Sequence, residues 1–175
     1  MACQRCEAAV TKRGAEQLVV VACLAAVAIA AAALTALAAS RISHRHQLDQ
    51  TRRDAVAAAT SSLAVVLSYD YRHLQTDFQD AEALLTRNFR AQYVKTTAAG
   101  VEPLAAKYHA ITTAVVPPGA AGVVSAGINR AVVLVFVDQT TTNSRLAAPR
   151  LDRSRINVTL VRSGGRWLID NLQPV

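Results

Sequence analysis

The chain has 175 residues, a formal charge of +7, and 52% hydrophobic residues against only 5% aromatics. That length suits one compact domain plus an appendage, with a core built mainly of Val, Leu and Ile. The basic residues (16 Arg, 3 Lys) are scattered and form no aromatic-rich basic stripe, which argues against a nucleic-acid partner, and Cys3, Cys6 and Cys23 all precede residue 24, which excludes a disulfide framework beyond it.

Residues 1–16 read as a short cytoplasmic tail. Its Cys3-x-x-Cys6 pair lacks the second ligand pair of a zinc ribbon, so no metal is expected there. Residues 17–40 carry no charge, and Leu18 to Ala39 are apolar apart from Thr35. As a helix that run spans about 33 Å, enough for a hydrocarbon core of about 30 Å. Ala36-Leu37-Ala38 resembles a signal-peptidase site, but the run is longer than a signal peptide needs. Val20-Val21-Ala22-Cys23 resembles a lipobox, but the apolar run continues well past the cysteine. A soluble helix this apolar would need complete enclosure. The expected segment is therefore a transmembrane helix over 17–40, contacting the lipid bilayer. Flanking charges are ambiguous: Arg5, Lys12 and Arg13 precede it, and Arg41, Arg45, Arg52 and Arg53 follow. Long domains cross regardless of charge, so the expected topology is an inside N-terminus and an extracytoplasmic C-terminal domain at the plasma membrane.

Residues 41–55 read as a juxtamembrane helical stalk, polar on most faces. His44 and His46 are two apart and diverge on a helix, which argues against a metal site. The domain proper is expected over 56–175. Leu48, Val56, Ala59, Leu63, Val66 and Leu67 recur at helical spacing, predicting one helix over 41–68. Asp70 then breaks that helix and caps the next. Thr76-x-x-Gln79 reads as a capping box, followed by an apolar face of Phe78, Ala81, Leu84, Leu85 and Phe89. A third helix is expected over 91–98 and a fourth near 101–106, with Pro103 in its first turn.

After Lys107 the pattern turns to β-branched alternation. About five antiparallel strands in meander order are expected, at 108–116, 121–128, 130–142, 154–162 and 166–175. Ser163-Gly164-Gly165 is a hairpin signature, and 141–153 a polar connector. Helices first and strands second argue for an α+β fold, with helices packed on one face of a curved sheet. Strand 131–138 is apolar on both parities, so it is central, or its second face meets a partner or a cavity. In the closing strand, alternation groups Trp167 with Ile169, and Leu168 and Leu172 with Asp170.

No nucleophile, P-loop or metal-protease motif is present, and no cofactor is expected. His73 and His109 lack an acid partner in sequence. Asp138 and Asp170 fall within strands. An aspartate base in an apolar pocket is a known catalytic design, which keeps a small ketosteroid-isomerase-like enzyme as an alternative. The plainer reading pairs each with an arginine, such as Arg155 or Arg166.

Two stretches carry a family resemblance. One is "LSYDYRHLQTDFQDAEALLTRNFRAQY", with Tyr69, Asp70, Tyr71, Arg72, Asp77, Ala81, Thr86, Phe89, Arg90 and Tyr93. The other is "DRSRINVTLVRSGGRWLIDNLQPV", with Trp167 and Asp170. Together with the apolar N-terminal run, these are similar to the Mce-associated (mammalian cell entry associated) membrane proteins. The resemblance implies a nuclear transport factor 2-like or cystatin-like roll, also similar to a periplasmic domain of type IV secretion. It implies a non-enzymatic accessory role for an Mce-type lipid-import complex, whose subunits or other Mce-associated proteins are the expected partners. A lipid- or sterol-binding carrier domain is the alternative, with lipid as its ligand. No catalytic residues carry over. Tyr69, Asp70, Tyr71, Phe89, Arg90, Trp167 and Asp170 are the structural or interaction candidates.

Overall fold

Residues 47–66 form helix α1, whose buried stripe is Thr51, Ala55, Ala59, Ser62, Leu63 and Val66. Spacings of three and four put these on one face, and the small residues Thr51, Ala55 and Ala59 let the helix backbone approach the sheet closely. The computed structural model describes residues 47–175 and positions 34, 35 and 37. The expected tail, most of the expected membrane helix, the two stalk histidines and the three cysteines lie outside the described residues. Among the described residues no helix is long and apolar enough to cross a membrane.

A two-residue strand β1 (Tyr69–Asp70) follows, then α2 (Leu74–Glu82), α3 (Arg87–Thr96), a π turn (Thr97–Val101) and α4 (Glu102–Tyr108). The strands are β2 (Ile111–Val115), β3 (Ala121–Ala126), β4 (Arg130–Thr142), β5 (Arg150–Ser163) and β6 (Arg166–Pro174). All pair antiparallel, so the α+β architecture and the five long strands stand as expected.

Several boundaries differ from the sequence reading; Tyr108, expected to open a strand, ends α4 instead, and β2 begins at Ile111. Thr76 lies inside α2, whose N-cap is His73, so neither the capping box nor Asp70 starts that helix. The third helix begins at Arg87 because Thr86 caps it, accepting the Phe89 amide. β5 begins at Arg150, since Arg150 to Arg153 continue the ladder against Asp138 to Thr141. That end of the ladder is polar on both strands, so composition reads as loop where hydrogen bonding makes strand.

The topology also departs from a simple meander. β2 and β3 do not pair with each other; both lie along the same edge of β4, β2 against Asp138–Thr142 and β3 against Ala131–Val135. Between them Pro117 to Ala120 make a turn closed by Ala120 N–H to Pro117 C=O at 3.0 Å, with Gly119 at φ 76°. Prolines donate no ladder bond, so one long edge strand is broken into two.

On β4 the odd positions Ala131, Val133, Val135 and Val137 are buried, and on β5 the even positions Ile156, Val158 and Leu160. They form one continuous cluster with α1, Ala81, Leu85, Trp167 and Ile169. Val133, Val135, Val158 and Leu160 are fully buried on the face where the carrier reading needs free volume. The second parity of β4 faces away from the helices and is half-exposed, with Phe136 at 48%.

Candidate functional site

Where α1 ends, Ser68 ties it to the sheet. Its Oγ donates to the Ala64 carbonyl at 2.6 Å and accepts from the Ala114 amide at 2.9 Å. The chain then pairs as β1, Tyr69 with Thr112 and Asp70 with Ile111, and covers only the start of the β2 edge. The result is a groove of about 450 Å³. Ala64, Val65, Ile111 and Ala114 give it apolar walls, and Asp70, Asp77 and Asp80 an acidic side.

The Tyr69-Asp70-Tyr71-Arg72 stretch is a knot of contacts at this groove. The Asp77 carboxylate accepts the Asp70 amide at 2.7 Å, closing α2 onto β1. The Asp70 carboxylate accepts from the Arg72 side chain, including Nε at 3.0 Å, and from the Arg72 amide at 2.9 Å. These bonds hold its pKa down at about 2. The Tyr69 ring lies 6.1 Å from Phe78, which meets Tyr93 edge-on at 6.2 Å. The Tyr93 hydroxyl donates to the Val66 carbonyl at 3.2 Å, and burial pushes it up to about 12, aided by the Glu82 and Asp77 charges. Tyr71 stacks against His109 at 4.8 Å. His109 closes α4 in the left-handed region at φ 52°, where glycine is usual, so a packed ring holds a conformation that its backbone disfavours.

The remaining candidates gather at the last strand. The β5–β6 register shifts between Thr159 and Leu160: Leu160 opposes Ile169 and Thr159 opposes Asn171, leaving Asp170 as an unpaired bulge residue. The bulge reverses the alternation, so Leu172 opposes buried Val158 and packs on the same core as Trp167 and Ile169. The sequence grouping of Leu172 with Asp170 is corrected accordingly. The segment Leu84–Thr86 docks on the β6 edge here. The Thr86 amide donates to Ile169 O at 2.8 Å, and the Ile169 amide to Leu84 O at 2.9 Å. Thr86 Oγ1 donates to Asp170 at 2.9 Å while accepting the Phe89 amide at 3.4 Å. Arg130 reaches the other Asp170 oxygen at 3.4 Å. Arg90 donates through Nε to the Glu82 carbonyl at 3.0 Å, satisfying the end of α2. Trp167 is buried, with the Arg162 guanidinium 5.8 Å over its ring.

The two stretches that carry the family resemblance therefore touch, through Thr86 and Asp170. Sequence reasoning singles out Asp170 and Phe89 but gives no role to Thr86, Ser68 or Asp77. A threonine immediately before Arg87 is the one available signal, as an N-cap. Asp138 lies 3.6 Å from Arg153, the arginine directly opposite it on β5, and its side chain is 36% exposed. Neither Asp138 nor Asp170 lines the groove. Among the described residues no three His, Cys, Asp or Glu side chains are grouped to hold a metal.

A family model described as "Uncharacterized protein Rv1363c/MT1408-like" matches residues 18–173. Among curated relatives, "Outer membrane protein Rv1973" of Mycobacterium tuberculosis is 38% identical over 124 residues, covering 71% of this chain and 76% of that protein. "Uncharacterized protein Rv1362c" of the same organism is 38% identical over 123 residues, 70% of this chain and 55% of its own length. Among solved structures, an IcmL-like type IV secretion system protein from Legionella pneumophila aligns with a TM-score of 0.61 at 11% identity, covering 71% of this chain and 91% of that one. CagV, a VirB8 homolog from Helicobacter pylori, aligns at 0.55 with 8% identity, covering 70% and 97%. At such identities the likeness speaks for the fold alone: a curled antiparallel sheet with helices packed on one face.

Proposed function

Because this chain belongs to the Rv1363c/MT1408-like family, we propose that it is a single-pass membrane accessory protein of the cell envelope. Its N-terminus is cytoplasmic, its α+β domain is extracytoplasmic, and it supports or stabilises an Mce-type lipid-import complex without catalysing a reaction. The observation that carries this reading is the extent of the family match. It begins at residue 18 and ends at residue 173, so it joins the apolar run to the domain as one recurring unit. An apolar run able to span a bilayer, fused to a domain whose candidate residues are occupied in holding elements together, suits an anchored assembly protein. A relative named as an outer membrane protein supports an envelope location. The similarity of the two signature stretches to Mce-associated proteins supports the choice of complex.

Membrane fractionation tests the first part. The full chain is expected in the plasma-membrane fraction, resistant to alkaline wash, and a variant lacking residues 17–40 should be released. Recovery in the outer-membrane fraction would overturn the single-pass plasma-membrane reading. For the second part, deletion should lower Mce-subunit levels or lipid uptake; unchanged levels and uptake would sink the Mce role.

A further inference from the structure

The face of β4 turned away from the helices reads Arg130, Val132, Leu134, Phe136, Asp138. Three apolar side chains lie in a row between a cation and an anion, each charge four residues from Leu134. Phe136 is 48% exposed, Val132 and Leu134 are half-buried, and Gly122 opposite Leu134 contributes no side chain to cover it. We propose that this stripe is the interface of a homodimer, in which β4 lies antiparallel across β4 of a second copy.

Self-complementarity selects both the occupant and the orientation. A two-fold axis in the interface, perpendicular to the strands at Leu134, places position 134+k over position 134−k of the other copy. Val132 then meets Phe136, and Arg130 meets Asp138, twice over. On β5, Arg155 falls over Thr159 and Arg153 over Val161, because these oppose Phe136, Val132, Asp138 and Arg130 in the ladder. No like charges coincide. The alternative two-fold, parallel to the strands, would set Arg130 on Arg130 and Asp138 on Asp138, which is disfavoured. Within one chain Arg130 already contacts Asp170 at 3.4 Å and Asp138 contacts Arg153 at 3.6 Å, both long and both made by a largely exposed arginine. Such pairs hold weakly. In the dimer each end gathers two cations and two anions, so the existing pairs are extended and not broken. This balance of signs also distinguishes a second copy from an anionic lipid surface, which would select arginine without aspartate.

The test uses the full chain in mild detergent. Arg130→Asp alone should set aspartate against aspartate, and Asp138→Arg alone should set arginine against arginine. Each should weaken dimerisation at least ~10-fold in sedimentation or light scattering. Mixed together, the two variants restore opposite charges at both ends. The introduced aspartate of one copy meets the introduced arginine of the other, and the native Arg130 and Asp138 that remain meet each other. A heterodimer should therefore form at near wild-type affinity. Independently, Leu134→Cys in a chain whose Cys3, Cys6 and Cys23 are replaced by serine should form a disulfide dimer on mild oxidation, and Val65→Cys on α1 should not. Failure of the mixture to recover dimer, or equal cross-linking at positions 65 and 134, overturns the proposal. Circular dichroism of each variant verifies folding.

Discussion

Thr86 and Asp170 are 84 residues apart, yet one hydroxyl serves both the start of α3 and the bulge of β6. Thr86→Val removes the cap and one of the two partners of a carboxylate that is only 28% exposed, so a loss of about 1–2 kcal/mol is expected in urea unfolding. A double-mutant cycle with Asp170→Ala should give a coupling of at least ~0.5 kcal/mol, because both changes remove the same bond. Two titrations belong at this scale too. Asp70 is depressed from 3.8 to about 2, so its contribution is complete above the ordinary value and is lost as pH falls between the two. Asp70→Asn should flatten that part of the stability–pH curve. Tyr93 is raised from 10.0 to about 12, so the folded state holds a proton that the unfolded chain releases, and stability falls with rising pH across that interval. Tyr93→Phe should abolish this alkaline decline.

The elements are legible where a local pattern decides them. The unbroken, valine-rich apolar run Ala131–Val137 locates β4, and Gly164-Gly165 locates the hairpin, whose glycines adopt φ 56° and 80°. Substituting either by alanine should cost about 1 kcal/mol, measured as a lowered urea midpoint. Gly100, in the π turn with open space around it, should instead gain about 0.5–1 kcal/mol as alanine. What sequence cannot supply is register. A bulge shows only as a shift against a partner strand, so alternation alone puts Leu172 on the wrong face. The start of β5 is hidden for a related reason: Asp152 and Arg153 form a ladder with Gln139 and Asp138, and their polarity resembles a connector. At the candidate site, Tyr69, Asp70 and Asp77 are visible through resemblance, but the bonds from the Asp70 amide to Asp77 and from the Ala114 amide to Ser68 cross gaps that no spacing rule spans.

At the scale of the molecule, the main core cluster reaches from Ala55 to Ile169, beside a smaller one of Leu74, Phe78, Ala105 and Ala110, and Tyr93 packs against both. Through that shared ring the domain should unfold in one transition. Leu63→Ala leaves a cavity under α1 and should cost about 2–5 kcal/mol. Fluorescence of the single tryptophan, Trp167, and far-ultraviolet circular dichroism should report the same shifted midpoint. Separated midpoints would mean that α1 undocks independently. The cluster also bears on synthesis. β4, β5 and β6 meet through a short connector and a tight hairpin, whereas α1 rests on strands that lie some seventy to a hundred positions later in the chain. Of the described elements, α1 is thus made first and waits longest for its floor. A ribosome that stops before Arg130 releases a polypeptide in which the apolar stripe of α1 has no β4 or β5 to rest on, making such truncated products natural clients of chaperones and proteases.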